Sequence, residues 1–599
     1  MLKRRVIDCD LAVVGGGIAG MCAAIAAARR GTRVVLMHER AVLGGNASSE
    51  IRMWICGAAG KNNRETGIVE EIALENMYRN PTKNYAIWDT VLYDMVKREK
   101  NIELLLNCTC MDAATERGEY SDGREIRITG ITGYQMTTQS FIEVRARYYA
   151  DCSGDSILAP LTDARFRMGR EGKDEFGENT QVESPDDMTM GMSCIIFGRE
   201  GTQSVKYTPP AFATKLKDED FERKNIHFQP NALYREVENF WYLELGGDRH
   251  SIDDTEEVRD ELLALATGTW DYVKNSGKID ADKWDLDFLG FLPGKRESRR
   301  MVGEYTVTER DISGGRVFED EIAYGGWPLD DHFPGGFWHV GTANTYYKTP
   351  APYSLPYRAL YSANVENLFF AGRNISMTHT AMSSIRVMAT CGLLGEAVGC
   401  AAAIATKYDL TPHGVYLNRI KELQEELGAG DCFLPSIRRE IADICRNATL
   451  SVDAPMLRNG EDRAHRLYGT EEGGAEYEAK LNGEIRYSFE PATVSYAHLT
   501  FSSDLNRDTL PGGGVERTHS TRANIPLDAP QTCMPKTLCR SFTLYGELSG
   551  KRVTLLEVED NRQRAYHTEI DRTLDALVLI PRESWGDGNA VPIISFDFG

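Results

Sequence analysis

The stretch from Leu11 to Glu39 constrains this chain more than any other. Leu11-Ala-Val-Val14 is a short apolar run that ends at once in Gly15-Gly-Gly-Ile-Ala-Gly20. An Ala-rich run from Met21 to Arg30 predicts a helix closed by Gly31, Thr32 to Met37 predicts a second strand, and Glu39 stands at its end. Strand, tight turn, helix, strand and terminal acid, in that order, specify a doubly wound, Rossmann-like α/β domain that binds a dinucleotide. Gly15 permits the tight turn, Gly17 lets the backbone approach a pyrophosphate, and Gly20 lets the helix pack on the strand. The first turn of the helix offers unpaired N–H groups and the positive end of its dipole. Glu39, nineteen residues past Gly20, is placed to accept hydrogen bonds from ribose hydroxyls. A carboxylate there would also repel a 2′-phosphate, which disfavours NADP.

The segments beyond it select FAD over NAD. Leu43-Gly-Gly-Asn46 follows the second strand, and Tyr149-Ala-Asp-Cys-Ser-Gly-Asp155 ends another. Far downstream, Asn367-Leu-Phe-Phe-Ala-Gly-Arg373 ends a third apolar run and precedes a small-residue helix expected over Arg386 to Ala405. A plain NAD domain is complete within one contiguous stretch, whereas the longer FAD needs a later strand and turn to return to the same sheet. The candidate cofactor-binding residues are therefore Gly15, Gly17, Gly20, Glu39, Arg40, Gly44, Gly45, Asn46, Cys110, Ser153, Gly154, Asp155, Gly372 and Arg373.

These segments resemble the FAD-dependent oxidoreductase family of the glutathione-reductase type and are distantly similar to fumarate reductase flavoproteins. The resemblance is carried by Gly15-Gly-Gly-Ile-Ala-Gly20, Asp151-Cys-Ser-Gly-Asp155, Ser298-Arg-Arg-Met-Val-Gly303 and Leu355-Pro-Tyr-Arg358. Ala371-Gly-Arg-Asn374 and Arg386-Val-Met-Ala-Thr-Cys-Gly-Leu-Leu-Gly395 extend it, so that it covers residues 8 to 410. It implies a bound FAD and leaves the substrate open.

At 599 residues the chain exceeds one ordinary domain. The FAD domain is expected to be split, with residues 1–160 and 345–445 forming one body around an inserted α+β substrate or cap domain at 161–344. In flavoproteins of the resembled type the insertion forms the floor or lid over the flavin. The insertion carries a charge-rich helical part near Asp253 to Asn275 and an aromatic, Gly-rich stretch, Tyr324-Gly-Gly-Trp-Pro-Leu-Asp-Asp-His332. From 446 to 599, short β-rich runs at Thr493–Ser502, Ser541–Glu547, Arg552–Val558, Leu574–Ile580 and Val591–Phe598 suggest an all-β sandwich. Their order resembles galactose-binding-like jelly rolls, and a purely structural β-domain reads equally well.

A net charge of −21 argues against nucleic acid as a partner, because phosphate binding needs clustered Lys and Arg. Thirteen scattered cysteines without a CxxC pair or a zinc pattern point to reduced thiols, a cytoplasmic setting and no bound metal. Val387 to Thr406 is long and apolar and contains Gly395 and Gly399 at GxxxG spacing. Glu396 at its middle would cost about 2.5–3.5 kcal/mol in a bilayer, so a close-packed core helix is expected instead of a membrane span. Homo-oligomerisation is left open by the sequence.

The flavin would carry the hard step, with protein groups orienting a small substrate. His379, just past the Arg373 turn, is a candidate base for a substrate hydroxyl. Arg300 and Arg386, with Arg52 and Arg299, are candidate anion clamps, since guanidinium matches a carboxylate in two-point contact. Asp330 and His332 are a second candidate base pair, and Cys56 a minor redox candidate. Gly44-Gly-Asn-Ala-Ser-Ser-Glu50 lacks the CxxxxC that disulfide reductases of this fold place there, and no second GxGxxG offers a dedicated NAD(P)H domain. The expected activity is hydride transfer between the flavin and a small polar substrate, a sugar or a hydroxy acid, with an unknown electron acceptor or donor. Two alternatives stand beside it: a flavin-dependent reductase of an unsaturated acid, and a saccharide-binding protein with an inactive FAD domain.

Overall fold

The computed structural model of the chain describes residues 2–120, 123–179, 182–235, 238–463, 475–507 and 521–599. Strand β1 (Lys3–Val14) leads into helix α1 (Ile18–Arg29) and strand β2 (Val34–Met37). Helices α2 (Ile68–Arg79) and α3 (Tyr85–Lys97) follow, then strands β3 (Ile102–Leu105), β4 (Cys108–Arg117), β5 (Ile126–Gln135) and β6 (Ser140–Asp151). These strands form one sheet in the order β3-β2-β1-β6-β5-β4. The first four positions in that order are parallel, and β4 and β5 add an antiparallel flap. Only Leu11 to Val14 of β1 sit in the fully buried part of the sheet, which is why the apolar run marks only the last third of the strand. Its charged first half is held by pairing Lys3 through Cys9 with Ser140 through Ala146.

Strand β7 (Leu368–Phe370) returns from far along the chain to the C-terminal end of β6, pairing Phe370 with Asp151. The carboxyl ends of β1, β2, β6 and β7 thus meet at one edge of the sheet, where doubly wound folds bind ligands. The helix expected over Arg386 to Ala405 is present, and a short helix precedes it. The Thr378 hydroxyl accepts from the Ala381 N–H and starts α4 (His379–Ile385), and a break at Arg386 and Val387 separates it from α5 (Met388–Tyr408). Helix α5 is the one helix among the described residues long and apolar enough to cross a membrane, and 94% of its most apolar window is buried in the fold. A Cβ on Gly395 would lie 2.0 Å from the Ala19 carbonyl oxygen, and one on Gly399 2.3 Å from that of Ala23. The small-residue stripe is therefore spent on backbone contact with α1. Glu396 accepts from the Ile68 N–H at 2.9 Å at the start of α2, and burial pushes its carboxyl up to about 7.

The inserted region has its own apolar cluster, in which Phe221, Phe240, Trp270 and Trp284 pack around the helix Thr255–Asn275. Residues 301–343 do not all join it: Val307, Ile322, Tyr324 and Leu329 pack into the first core. The C-terminal region adds strands β8 (Thr449–Leu450), β9 (Tyr477–Lys480), β10 (Ile485–Phe501), β11 (Cys539–Leu548), β12 (Lys551–Val558), β13 (Ala565–Ser584) and β14 (Ala590–Phe598). Among the described residues these pair as one antiparallel network, β9-β14-β10-β13-β11-β12 with β8 on β10. Strands β10 and β13 are longer than their apolar runs and bend at bulges between Ser488 and Ala492 and between Val494 and Tyr496. The bend encloses Tyr487, Phe501, Phe542, Phe596 and Phe598 in a separate core.

Candidate active site

A cavity of about 450 Å³ opens where the carboxyl ends of the parallel strands meet. Gly15, Gly17, Glu39, Arg40, Gly44, Gly45, Asn46, Ser153, Gly154, Gly372 and Arg373 all line it. The turn after β1 is forced by close contact: Gly15 has φ +104°, and a Cβ on it would stand 2.4 Å from the Cys152 carbonyl oxygen. Gly20 does not line the cavity but packs the helix, since its Cβ would lie 1.9 Å from the Gly15 carbonyl oxygen. Gly17 faces the cavity, with only the Gly45 Cα, at 3.8 Å, near its missing Cβ. Helix α1 begins there with no side-chain cap, which leaves its first N–H groups to a ligand. A cradle that any Cβ would fill, over an uncapped helix start and beside Glu39, fits the pyrophosphate and ribose of FAD.

Two side chains hold this frame that the sequence did not single out. His38 Nδ1 accepts from the Gly16 N–H at 3.0 Å, leaving Nε2 to donate to the Val42 carbonyl at 3.0 Å. Lys295 lines the cavity and pairs with Asp155 at 3.0 Å, as Arg373 does at 2.6 Å. Asp155 therefore stands behind the lining instead of in it. Burial would raise its carboxyl, but Arg373 and Lys295 outweigh that and hold it below the usual range. Gly154 makes room for this: a Cβ would meet the Arg373 guanidinium at 2.3 Å. Cys110 lies buried in the antiparallel flap, opposite Gly133, and does not reach the cavity.

The remaining wall is built by the segment 327–346, folded back on itself through Leu329 opposite Tyr347 and His332 opposite Asn344. Extended backbone alternates its side chains. Asp330 and His332 face the cavity, with Trp327, Asn344 and Tyr346, while Asp331 faces away. His332 Nδ1 lies 2.6 Å from Glu244, which Arg296 approaches at 3.4 Å, and the His332 ring meets Trp241 edge-on at 5.5 Å. Asp330 accepts from Trp327 Nε1 at 3.2 Å, from Asn344 and from Arg386 at 3.3 Å, and stands 3.6 Å from His332 Nε2. Burial acts to raise both carboxyls; it is outweighed at Asp330 by His332 and Arg386, and at Glu244 by Arg296 and His332, so both stay below the usual range.

Two sequence candidates, His379 and Arg300, stand away from the cavity. His379 does not line the cavity. It sits on the Asp331 side, 2% exposed, with Glu297 at 2.9 Å from Nδ1 and Asp331 at 3.0 Å from Nε2. Burial lowers its pKa, but the two carboxylates prevail and lift it to about 10, so both nitrogens are committed as donors. The cause of the displacement is local, because the Thr378 cap turns the chain into α4 directly after the flavin-side turn. Arg300 is fully buried and pairs with Glu171 at 3.1 Å. Arg386 does line the cavity, at the break between α4 and α5, and donates to the Asp330 carbonyl at 2.9 Å. Cys56 also lines it.

The sequence profile described as FAD dependent oxidoreductase matches residues 10–427. No curated protein matches the chain. Among solved structures, the p-nitrophenol 4-monooxygenase PnpA from Pseudomonas putida DLL-E4 is 12% identical, with 70% of this chain and 86% of that one covered at a TM-score of 0.30. The THI4 protein of Thermovibrio ammonificans is 16% identical over 30% of this chain and 76% of its own, at a TM-score of 0.21. A family 32 carbohydrate-binding module, GH31 CBM32-2 bound to GalNAc, is 16% identical over 25% of this chain and 96% of its own, at a TM-score of 0.16. The chain belongs to the FAD dependent oxidoreductase family, and its cofactor is FAD.

Proposed function

We propose that this member of the FAD dependent oxidoreductase family oxidises a hydroxyl group on a small polar molecule, with His332 taking the hydroxyl proton. The observation that carries the reading is that one cavity joins the nucleotide-binding turns to the His332–Glu244 pair. The glutathione-reductase-type frame is supported by the parallel order β3-β2-β1-β6, extended by β7 beside β6, and by Glu39 at the end of β2. Gly17, Gly44 and Gly45 would hold the pyrophosphate by backbone approach, Glu39 the ribose, and Arg373 and Lys295 the adjoining polar parts. When bound, FAD supplies a two-electron acceptor for hydride. Glu244, kept ionised, holds the His332 Nδ1 proton and so turns Nε2 toward the cavity as the accepting atom. There Nε2 receives the O–H proton while the substrate C–H bond gives up its hydride and a carbonyl remains. Glu244 also stabilises the imidazolium that results.

The test is anaerobic titration of the purified, FAD-loaded protein with hydroxyl compounds, followed by the visible absorbance of the flavin. Bleaching is expected, and His332→Asn should slow it about a hundredfold, as for a lost general base. Bleaching at an unchanged rate in that variant would remove His332 from the chemistry.

A further inference from the structure

We infer that the chamber beside the flavin-binding turns admits an uncharged, polyhydroxylated substrate and turns carboxylates away; this narrows the hydroxyl-oxidation reading above and rests on it. The arginines are already spent on the protein. An acid substrate needs a guanidinium with an open two-point face, and each candidate is already committed to the protein. Arg386 donates to the Asp330 carbonyl at 2.9 Å and to its carboxylate at 3.3 Å. Arg296 donates to Ser193 at 2.9 Å and to the Trp241 carbonyl at 3.0 Å, and pairs with Glu244. Arg52 pairs with Asp287 at 3.3 Å and stacks on Phe288 at 4.0 Å. Arg300 is buried against Glu171, and Arg299 donates to the Asp155 carbonyl at 3.3 Å.

The charges nearest the reacting histidine also balance. In the part of the chamber beside His332, Arg296 and Arg386 are matched by Glu244 and Asp330, both held below the usual carboxylate range. An incoming carboxylate would have to displace one of these acids or face them uncompensated, and an incoming ammonium would meet the two arginines in the same way. A neutral ligand meets neither penalty. The walls also suit such a ligand. Trp54, Trp241, Trp327 and Tyr346 present apolar faces to the C–H side of a ring or chain of carbinols. Between them the Asn344 amide oxygen and His332 Nε2 supply polar partners for hydroxyls, while Asp330 holds Asn344 and Arg386 in place. The Tyr346 hydroxyl, on the same wall, adds another. Aromatic faces around a charge-balanced polar cluster suit a molecule that is apolar on its faces and hydroxylated at its edge.

Titration calorimetry and flavin absorbance on the FAD-loaded protein test this with glucose, sorbitol and myo-inositol against glycolate, lactate and fumarate. At least one neutral polyol should bind, and the three acids should bind at least tenfold more weakly or not at all. Asp330→Asn releases Arg386 from its carboxylate, so this variant should gain at least tenfold in affinity for glycolate and fumarate. Tighter binding of any of the acids than of every polyol overturns the substrate class, as does a panel in which nothing binds. An Asp330→Asn protein that folds and shows no gain for acids overturns it too. If that variant does not fold, the wild-type panel decides alone. Polyols that bind without ever bleaching the flavin leave the substrate class standing and remove the oxidation reading. Bleaching by lactate or glycolate alone does the reverse.

Discussion

His332 and His379 flank one short stretch of chain and stand in opposite situations. Both are buried and both touch carboxylates, yet Asp330 and His332 face the cavity while Asp331 turns to His379 on the other side. His332 has one close carboxylate, Glu244 at 2.6 Å, and a second, Asp330, 3.6 Å from its other nitrogen. That longer gap leaves Nε2 open to a ligand. His379 has close carboxylates on both nitrogens, at 2.9 and 3.0 Å, and nothing left to offer. A histidine between two acids is a fixed cation that holds segments together; a histidine oriented by one acid beside a cavity can exchange a proton. The difference lies in the second partner, not in burial.

The largest effect should come from the side away from the cavity. His379→Asn removes the cation between Glu297 and Asp331 and leaves Glu297 buried without it, at an expected loss of about 3–5 kcal/mol. The folded pKa of about 10 lies above the ordinary histidine value. The histidine therefore contributes fully below about pH 6.5 and loses that contribution as pH rises toward 10. Chemical unfolding across pH should show the wild type losing stability over that window and the variant losing much less. A variant as stable as wild type at pH 6 would put His379 outside the fold's supports. His332→Asn, by contrast, should slow substrate bleaching of the flavin about a hundredfold, equivalent to about 2.7 kcal/mol in the barrier, and move the unfolding midpoint little. Glu244→Gln should keep the hydrogen bond but lose the charge that steadies the imidazolium, for a loss of about tenfold in the same assay. A Glu244→Gln protein slower than His332→Asn would make Glu244, not His332, the group that matters.

The cofactor frame was legible because its demands are local. Gly15, Gly17 and Gly20 answer to backbone contacts within one turn, and Glu39 is fixed by the length of α1 and β2. The return of Asn367 to Arg373 to the same sheet was legible from its pattern, an apolar run ending in Gly-Arg before a small-residue helix. The substrate side was not. Glu244 and His332 are 88 positions apart and meet only through the packing of the inserted region. Lys295 ends a two-residue strand, Gly294–Lys295, and Arg296 follows it, a stretch too short to leave a periodic signal. His379 is close to Arg373 in sequence but not in space, which is why position along the chain points to a flavin-side base where the fold has none. The signal that could have corrected it was Thr378, a capping residue that starts a helix at once and turns the next side chain away. The arginines show the same limit, since a sequence displays the guanidinium but not the carboxylate that already holds it.

The smallest effect tests the alternation directly. Asp330 and Asp331 are adjacent, identical in type and separated only by the side of the chain they occupy. Asp331→Asn keeps the shape and removes one of the two charges on His379, while touching nothing that lines the cavity. The Asp331 side chain is 32% exposed, so solvent screens the pair and the expected loss is about 1 kcal/mol. Burial would raise the Asp331 carboxyl, but His379 outweighs it and holds the pKa below the usual value. Its contribution is therefore present above the ordinary carboxylate range and fades as pH falls through the depressed folded value. The variant should differ from wild type at pH 6 and converge with it in strong acid, with flavin bleaching unchanged throughout. If Asp331→Asn slowed bleaching as much as His332→Asn, the two faces of this segment would not be separate, and the division between a supporting histidine and a reacting one would fall with them.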